Sequence, residues 1–336
     1  MKNQLLKAMV SIVLLLAMIG CSKSPGSQGN WGYIDASGKP VISPQYRDAR
    51  HFAQGMAAVK VQDKWGYIDN TGKSVIPPQF ADARDFSNDL AAVKVGDSWG
   101  YIDRTGKAVI PAQFADARDF SGDLAAIKIQ ASWGYIDHSG RAVIPAQFTE
   151  ARDFASEMAA VRIQGNWGYI NRHGAAVIPP QFADARDFSG SLAAIKIQGS
   201  WGYIDRTGQA VIPGQFAEAR EFHDGLAAVR IGPNWGFIDP KGNAVIPAQF
   251  VEERDFLNGV AAVKIQASWG YIDRTGKAVI PAQFSEAIDF SNRLAAVKIQ
   301  GSWGYIDLTG KPLIVAQFTA ARTFTNDLAA VKVSAG

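Results

Sequence analysis

Trp99-Gly100-Tyr101-Ile102-Asp103-Arg104-Thr105-Gly106-Lys107-Ala108-Val109-Ile110-Pro111-Ala112-Gln113-Phe114 decides how this 336-residue chain folds. Its tryptophan returns every 34 residues, at Trp31, Trp65, Trp99, Trp133, Trp167, Trp201, Trp235, Trp269 and Trp303, and glycine follows each one. Residues 31–336 hold nine such units with none left over. A fixed period of this length marks a repeat array. It also bears on function, because a residue present nine times is part of a frame before it is a unique catalytic group.

Within the third unit, Trp99–Asp103 alternates aromatic and β-branched residues as a strand does. Asp103-Arg104-Thr105-Gly106-Lys107 is a hairpin turn: the aspartate accepts from backbone further on, and glycine supplies positive φ. Glycine recurs here from Gly38 to Gly310. Ala108–Phe114 is a second strand, and Pro111, which cannot donate to a ladder, belongs at an edge, a bulge or a strand end. Residues 115–123 read as a connector with room for one helical turn. Leu124-Ala125-Ala126-Ile127-Lys128-Ile129 is a third strand, joined by a hairpin-length link to the next tryptophan. Each module is therefore expected to be a three-stranded meander straddling the sequence repeat.

The paired alanines of the third strand, Ala57-Ala58 to Ala329-Ala330, and the glycine after each tryptophan suggest a narrow gap between units into which the indole packs. Such a ring buries roughly 150–250 Å², an upper bound of about 4–6 kcal/mol per interface. The glutamine column, Gln45 to Gln317, suits a buried amide capping backbone groups.

Trp-Gly-Tyr-Ile-Asp with Thr-Gly-Lys, Val-Ile-Pro, Gln-Phe and Leu-Ala-Ala-Val-Lys, as in residues 269–298, resembles the WG-repeat (KWG) proteins of bacteria over the whole of 31–336. The resemblance implies an all-β repeat structure and no general chemistry. The sequence favours an open β-solenoid of nine three-stranded units, with a closed propeller-like ring as the alternative. The terminal units differ from the rest: the proline seen from Pro77 to Pro281 is Ser43 and Val315 at the ends. The acidic column from Asp85 to Asp289 becomes His51 and Thr323. Capped ends are expected of open arrays, and nine blades exceed the usual four to eight.

Ahead of the array, residues 1–20 read as a signal peptide: Lys2 and Lys7, then an apolar run over 8–19 too short for a membrane span. Met18-Ile19-Gly20-Cys21 resembles the lipobox of bacterial lipoproteins, which implies cleavage before Cys21 and attachment of acyl chains such as palmitate. Cys21 is the only cysteine, so no intrachain disulfide competes for it. Ser22 after it resembles the outer-membrane rather than inner-membrane sorting of Gram-negative lipoproteins. On that resemblance residues 21–30 are expected to form a lipidated, polar tether; the plainer alternative is an ordinary signal peptide followed by an incidental cysteine.

Removing Lys2 and Lys7 from 34 basic residues against 31 acidic leaves 32 against 31. A balanced chain argues against nucleic acid or a polybasic membrane patch as partner. His51, His138, His173 and His223 occupy four different places in the repeat and share no ligand spacing, so no metal, cofactor or catalytic site is expected. The turns lack the phosphate-loop spacing. The arginine column, Arg50, Arg84, Arg118, Arg152, Arg186, Arg220, Arg254 and Arg322, reads as mutual salt-bridging along the connector in preference to a ladder gripping a repetitive ligand. The tryptophans read as core in preference to a sugar-stacking platform. Variation gathers in turns such as Asn70-Thr71, His138-Ser139 and Pro240-Lys241, where a ligand would be read. The expected function is non-enzymatic: a lipid-anchored envelope scaffold that binds another protein. The alternative is a module binding cell-wall or surface glycan.

Overall fold

The computed structural model describes residues 29–334. The signal peptide, Cys21 and the tether up to Gln28 lie outside the described residues. The rest is nine antiparallel sheets of four strands each. One sheet consists of an inner strand Asp116–Ala117, a second strand Ala125–Ile129, a third strand Ser132–Ile136 and an outer strand Ala142–Phe148, hydrogen-bonded in that order. The second and third strands pair in continuous register, Ala125 with Ile136 through Ile129 with Ser132. The stretch expected as a connector thus supplies a fourth strand where a helical turn was allowed for, because Asp116 and Ala117 pair with Lys128 and Ile127.

The open solenoid is overturned. The first blade takes Trp31–Asp35 and Pro40–Tyr46 from the start of the array, and Leu328–Lys332 and Ala320–Ala321 from its end. Trp31 pairs with Lys332 and Asp35 with Leu328, and the Val333 N–H donates to the Asn30 carbonyl at 3.0 Å. The ring closes as a nine-bladed β-propeller. The physical reason is that the unpaired first tryptophan strand and the unpaired last strand each complete the other's ladder, leaving neither edge open. The terminal differences read as caps lie elsewhere. Ser43 and Val315 sit on outer strands, and His51 and Thr323 follow inner strands, so none closes off a stacking face.

The core is divided into nine apolar clusters, each between two blades. In one, Leu124, Ala126, Trp133, Tyr135, Ile144 and Phe148 of one sheet meet Ala151, Phe154, Ala159, Val161 and Ile170 of the next. The ninth joins Leu294, Tyr305 and Phe318 to Ile34, Phe324 and Val331 across the closure. The paired alanines face opposite ways: Ala125 belongs to one interface and Ala126 to the next. A small residue on both sides thins the sheet and lets the aromatic rings of its neighbours approach. Tyr135 lies edge-on to Phe154, centroids 4.9 Å apart, and its hydroxyl donates to the Arg152 carbonyl at 2.7 Å, tying one blade to the inner strand of the next. Phe237 alone in that column lacks the hydroxyl.

The glycine after each tryptophan serves the neighbouring strand and not the indole. A Cβ on Gly134 would lie 2.6 Å from the Ile144 carbonyl oxygen and the Ala146 nitrogen, where the outer strand bulges across it. The glutamines are exposed on the outer strands, as at Gln113 and Gln147, and do not cap buried backbone. The prolines lie on the outermost edge, where no ladder needs their missing donor. At the hairpin turn, Asp137 Oδ1 accepts from the Ser139 N–H at 2.9 Å, the Ser139 hydroxyl at 2.6 Å and the Arg141 N–H at 3.1 Å. Gly140 turns with φ +83, and the Ile110 side chain of the preceding blade stands 3.1 Å from where its Cβ would be.

Seven of the nine indoles are only 4–9% exposed. Truncating Trp167, 5% exposed between two central blades, is expected to cost about 3–5 kcal/mol. Urea unfolding of Trp167→Ala measures this; a loss below about 1 kcal/mol would mean the ring contributes no core packing.

Candidate functional site

The segments that begin with the inner strands bring the arginine and acidic columns together. Their ends meet from blade to blade: the Ser87 hydroxyl donates to the Phe120 carbonyl at 2.7 Å, and Ser121 to Phe154 at 2.6 Å. These segments therefore surround the ring axis while the outer strands form its circumference.

Each arginine of the column lies over the tryptophan of its own blade, from 4.8 Å for Arg322 over Trp31 to 5.6 Å for Arg254 over Trp269. The same guanidinium groups reach the next blade: Arg50 is 3.6 Å from Asp82, Arg84 is 3.7 Å from Asp116, and Arg322 bridges the closure to Asp48 at 3.2 Å. These pairs are part-exposed, so each ion pair is worth about 0–1 kcal/mol and each cation–π contact about 0.5–1. The column is a set of covers over the inter-blade aromatic core. Ile288 breaks it, and Trp303, with only Lys298 at 5.9 Å, is one of the two less buried indoles.

The acidic column sits deeper. Burial raises Asp119 to about 6; Arg84 opposes the shift, and Asp85 and Asp153 on either side add to it. Asp187 is raised to about 6 in the same way. Asp153 and Asp289 are also raised, chiefly by burial. Burial is the chief cause in each case, and at Asp119 and Asp187 the neighbouring carboxyls add to it.

One residue stands outside the repeat logic. Glu253 occupies the position held by alanine in the other eight units, from Ala49 to Ala321. Its side chain is fully buried, 2.5 Å from Arg220 Nε in an ion-pair contact outside hydrogen-bonding geometry, and both carboxylate oxygens lack a donor. Burial raises it to about 7, against the pull of Arg220. Trp235, the other less buried indole, lies at this same interface, as does Phe237. Sequence reasoning passed over Glu253, although a break in an otherwise constant alanine column was the signal.

The four histidines stay apart. His51 contacts Asp85 at 3.0 Å, which raises its pKa, and His223 lies 3.6 Å from Asp255. His138 stacks on Phe120 at 4.3 Å, and the His173 N–H donates to the Asn171 side chain in a turn. Among the described residues no group of three or more His, Cys, Asp or Glu is placed to hold a metal ion, and no helix is long and apolar enough to cross a membrane.

The sequence profile of the WG-containing repeat matches the chain at residues 31–65, 65–98, 99–130, 133–167, 167–200, 201–232, 235–266, 269–302 and 303–334. The chain is a WG-repeat protein. No curated protein sequence matches it. Among solved structures, a eukaryotic initiation factor superposes with a TM-score of 0.59 at 12% identity, covering 85% of this chain and 95% of that one. The dihydro-heme d1 dehydrogenase NirN gives 0.49 at 12% identity over 90% and 78%. Hsv2p of Kluyveromyces lactis gives 0.43 at 10% over 77% and 96%. At this identity the first likeness speaks for the fold alone, and the other two carry no argument.

Glu253 makes the stability of this WG-repeat ring depend on pH. Between its ordinary 4.5 and its raised value of about 7, the folded chain holds a proton that the unfolded chain has released. Stability from this group is therefore complete below about 4.5 and lost as pH rises through about 7. Glu253→Ala, which restores the residue of the other units, is expected to stabilise by about 2–3 kcal/mol at pH 8 and by little at pH 4.5. Chemical denaturation at the two pH values checks this; destabilisation at pH 8 would show that the Arg220 pair is a net gain.

Proposed function

We propose that this WG-repeat protein is a non-enzymatic scaffold of the bacterial cell envelope, anchored by acylated Cys21, whose propeller binds another envelope protein. One observation carries the reading: the frame repeats nine times, and one face of it presents a ring of hairpin turns that differ from blade to blade. Each turn glycine packs on the isoleucine of the preceding blade, Gly72 on Ile42 and Gly106 on Ile76, so the nine hairpin turns form one circle. The circle presents Asn70-Thr71, Arg104-Thr105, His138-Ser139, Arg172-His173, Pro240-Lys241 and Leu308-Thr309 in turn. Inner turns join this face, with Arg104 3.6 Å from Asp89 and Arg172 2.7 Å from Glu157. A rigid ring that holds a varied, polar set of turns suits recognition of one specific macromolecular surface.

The anchor rests on the apolar run before Cys21 and the tether after it. Several acyl chains, at about 0.8 kcal/mol per buried methylene, hold a protein at a bilayer where one does so only marginally. Ser22 favours the outer membrane if the cell is Gram-negative. With most indoles buried, the alternative ligand, a cell-wall or surface glycan, would also have to be read by the turns.

Cys21→Ser is expected to abolish incorporation of labelled palmitate and to move the protein from the membrane pellet to the soluble fraction; continued pelleting of the unlabelled variant would remove the anchor from the proposal. A photo-crosslinking residue in place of His138, on the turn face, is expected to trap a protein partner in cells. The same residue in place of Lys64, at the opposite end of the strands, serves as the control. Trapping from Lys64 alone would overturn the assignment of the face, and trapping of polysaccharide at 138 would favour the glycan.

A further inference from the structure

The strands of every blade end at two faces. One carries the hairpin turns that follow the tryptophan strands. At the other, short links join the second strand to the third in eight blades, from residues 62–63 to 300–301. Valine or isoleucine leads into each of these links. Six of them are 39–54% exposed: Val61, Val95, Ile129, Ile197, Ile231 and Ile265. The register repeats, with Val95 opposite Ser98, Ile129 opposite Ser132 and Ile265 opposite Ser268, so these side chains stand at one level around the ring. Val251 joins them beside Ile265, its N–H donating to the Lys264 carbonyl at 2.9 Å.

Six successive links, from Gln130-Ala131 to Gln300-Gly301, contain no charged residue. Charges collect at the first two, with Asp63, which Arg47 pairs at 2.9 Å, Lys64 and Asp97. The basic residue before each aliphatic one turns the other way. Lys128 lies over Trp133 at 5.8 Å, and Lys264 and Lys298 reach Glu252 and Glu286 at 2.6 Å.

In the first blade the second and third strands are the last and first of the chain. Trp31 pairs with Lys332, and the Val333 N–H donates to the Asn30 carbonyl. The segment leading from Cys21 therefore enters the ring within this circle of links. Nine peptide steps separate Cys21 from Asn30 and reach at most about 30 Å. An outer strand of seven residues, such as Pro40–Tyr46, already spans about 24 Å. Bringing the turn face to a surface that holds Cys21 would use up nearly the whole tether. A second aliphatic column, Val109 and its counterparts, runs around the circumference. A flat surface meets only an arc of that column, whereas it meets the link circle all at once.

We propose that the link circle is the face laid against the bilayer, its aliphatic side chains at the level of the lipid headgroups and the turn face held outward. This rests on the acylation of Cys21 proposed above. Uncharged links and paired cations make the contact an apolar one that adds to the acyl chains and needs no anionic lipid.

Protein purified from cells and reconstituted in phosphatidylcholine vesicles carrying nitroxide lipid tests the face, with mass spectrometry reporting the acylation of Cys21. Acylation blocks that sulfur, so an introduced cysteine is the sole one free to take a fluorophore. A fluorophore at Ile231→Cys is expected to be quenched at least about threefold more strongly than one at His138→Cys on the turn face, at low and high salt alike. Ile129→Cys, on another blade, is expected to behave as Ile231→Cys does and keeps the test open if that variant misfolds. Val95→Asp with Ile265→Asp is expected to lower quenching at 231 at least about twofold with an unchanged melting temperature. Acylated protein quenched equally at 138 and 231, or at neither, overturns the face and leaves the anchor standing. Protein that carries no acyl chain and does not bind the vesicles overturns the anchor and this face with it. Quenching at 231 that requires anionic lipid and vanishes in salt gives the contact to the basic column and overturns the apolar docking. A label at 231 shielded in native membranes yet unquenched by nitroxide lipid gives the circle to a protein and overturns it too.

Discussion

Everything in this ring depends on burying a tryptophan–tyrosine face between sheets thin enough to bring it within reach of the next blade. A four-stranded sheet with so few residues has no core of its own. Its apolar side chains find neighbours only across the interface, as Trp133, Tyr135 and Phe148 do against Ala151, Phe154 and Val161. The alternating alanines set the spacing, and the tyrosine hydroxyls fix the angle by reaching the inner strand beyond. Closing the circle follows from the same need, because an open array would leave one aromatic face and one strand edge uncovered at its ends.

The charged columns are best understood as accessories to that packing. Arginine stems and guanidinium groups cover the indoles near the axis and lean on the next blade's acids. Their part-exposed geometry makes each contact small, and their value lies in being repeated. Burial raises the proton affinity of several acids of the deeper column, among them Asp119 and Asp187. Where the pattern is broken, the consequence is local: the loss of arginine at Ile288 leaves Trp303 less covered, and Glu253 places an under-satisfied carboxyl in an apolar seam. Departures from ninefold repetition include interface residues such as Glu253 and Phe237, the loss of the column arginine at Ile288, the turns at both ends of the strands, and the outer edge at Ser43 and Val315.

The linear order of residues determined the period, the all-β character, the strand at each tryptophan, the aspartate–glycine turns, the proline edges and the family, because all of these follow from local backbone preferences and from counting. It also marked the indoles as packing groups, through the paired alanines that thin each sheet; the glycine beside each indole, read the same way, proved to make room for the outer strand instead. Three readings needed the fold. The inner strand hid in residues 115–123 because two pairing residues carry no periodicity that local propensity can detect. The glutamines look like buried caps by constancy alone, whereas their exposure depends on which way a bulged outer strand turns them. Ring closure was decided only in three dimensions: Trp31 and Lys332 lie 301 positions apart, and the pairing that joins them comes from accumulated twist over nine blades, a quantity no single unit contains.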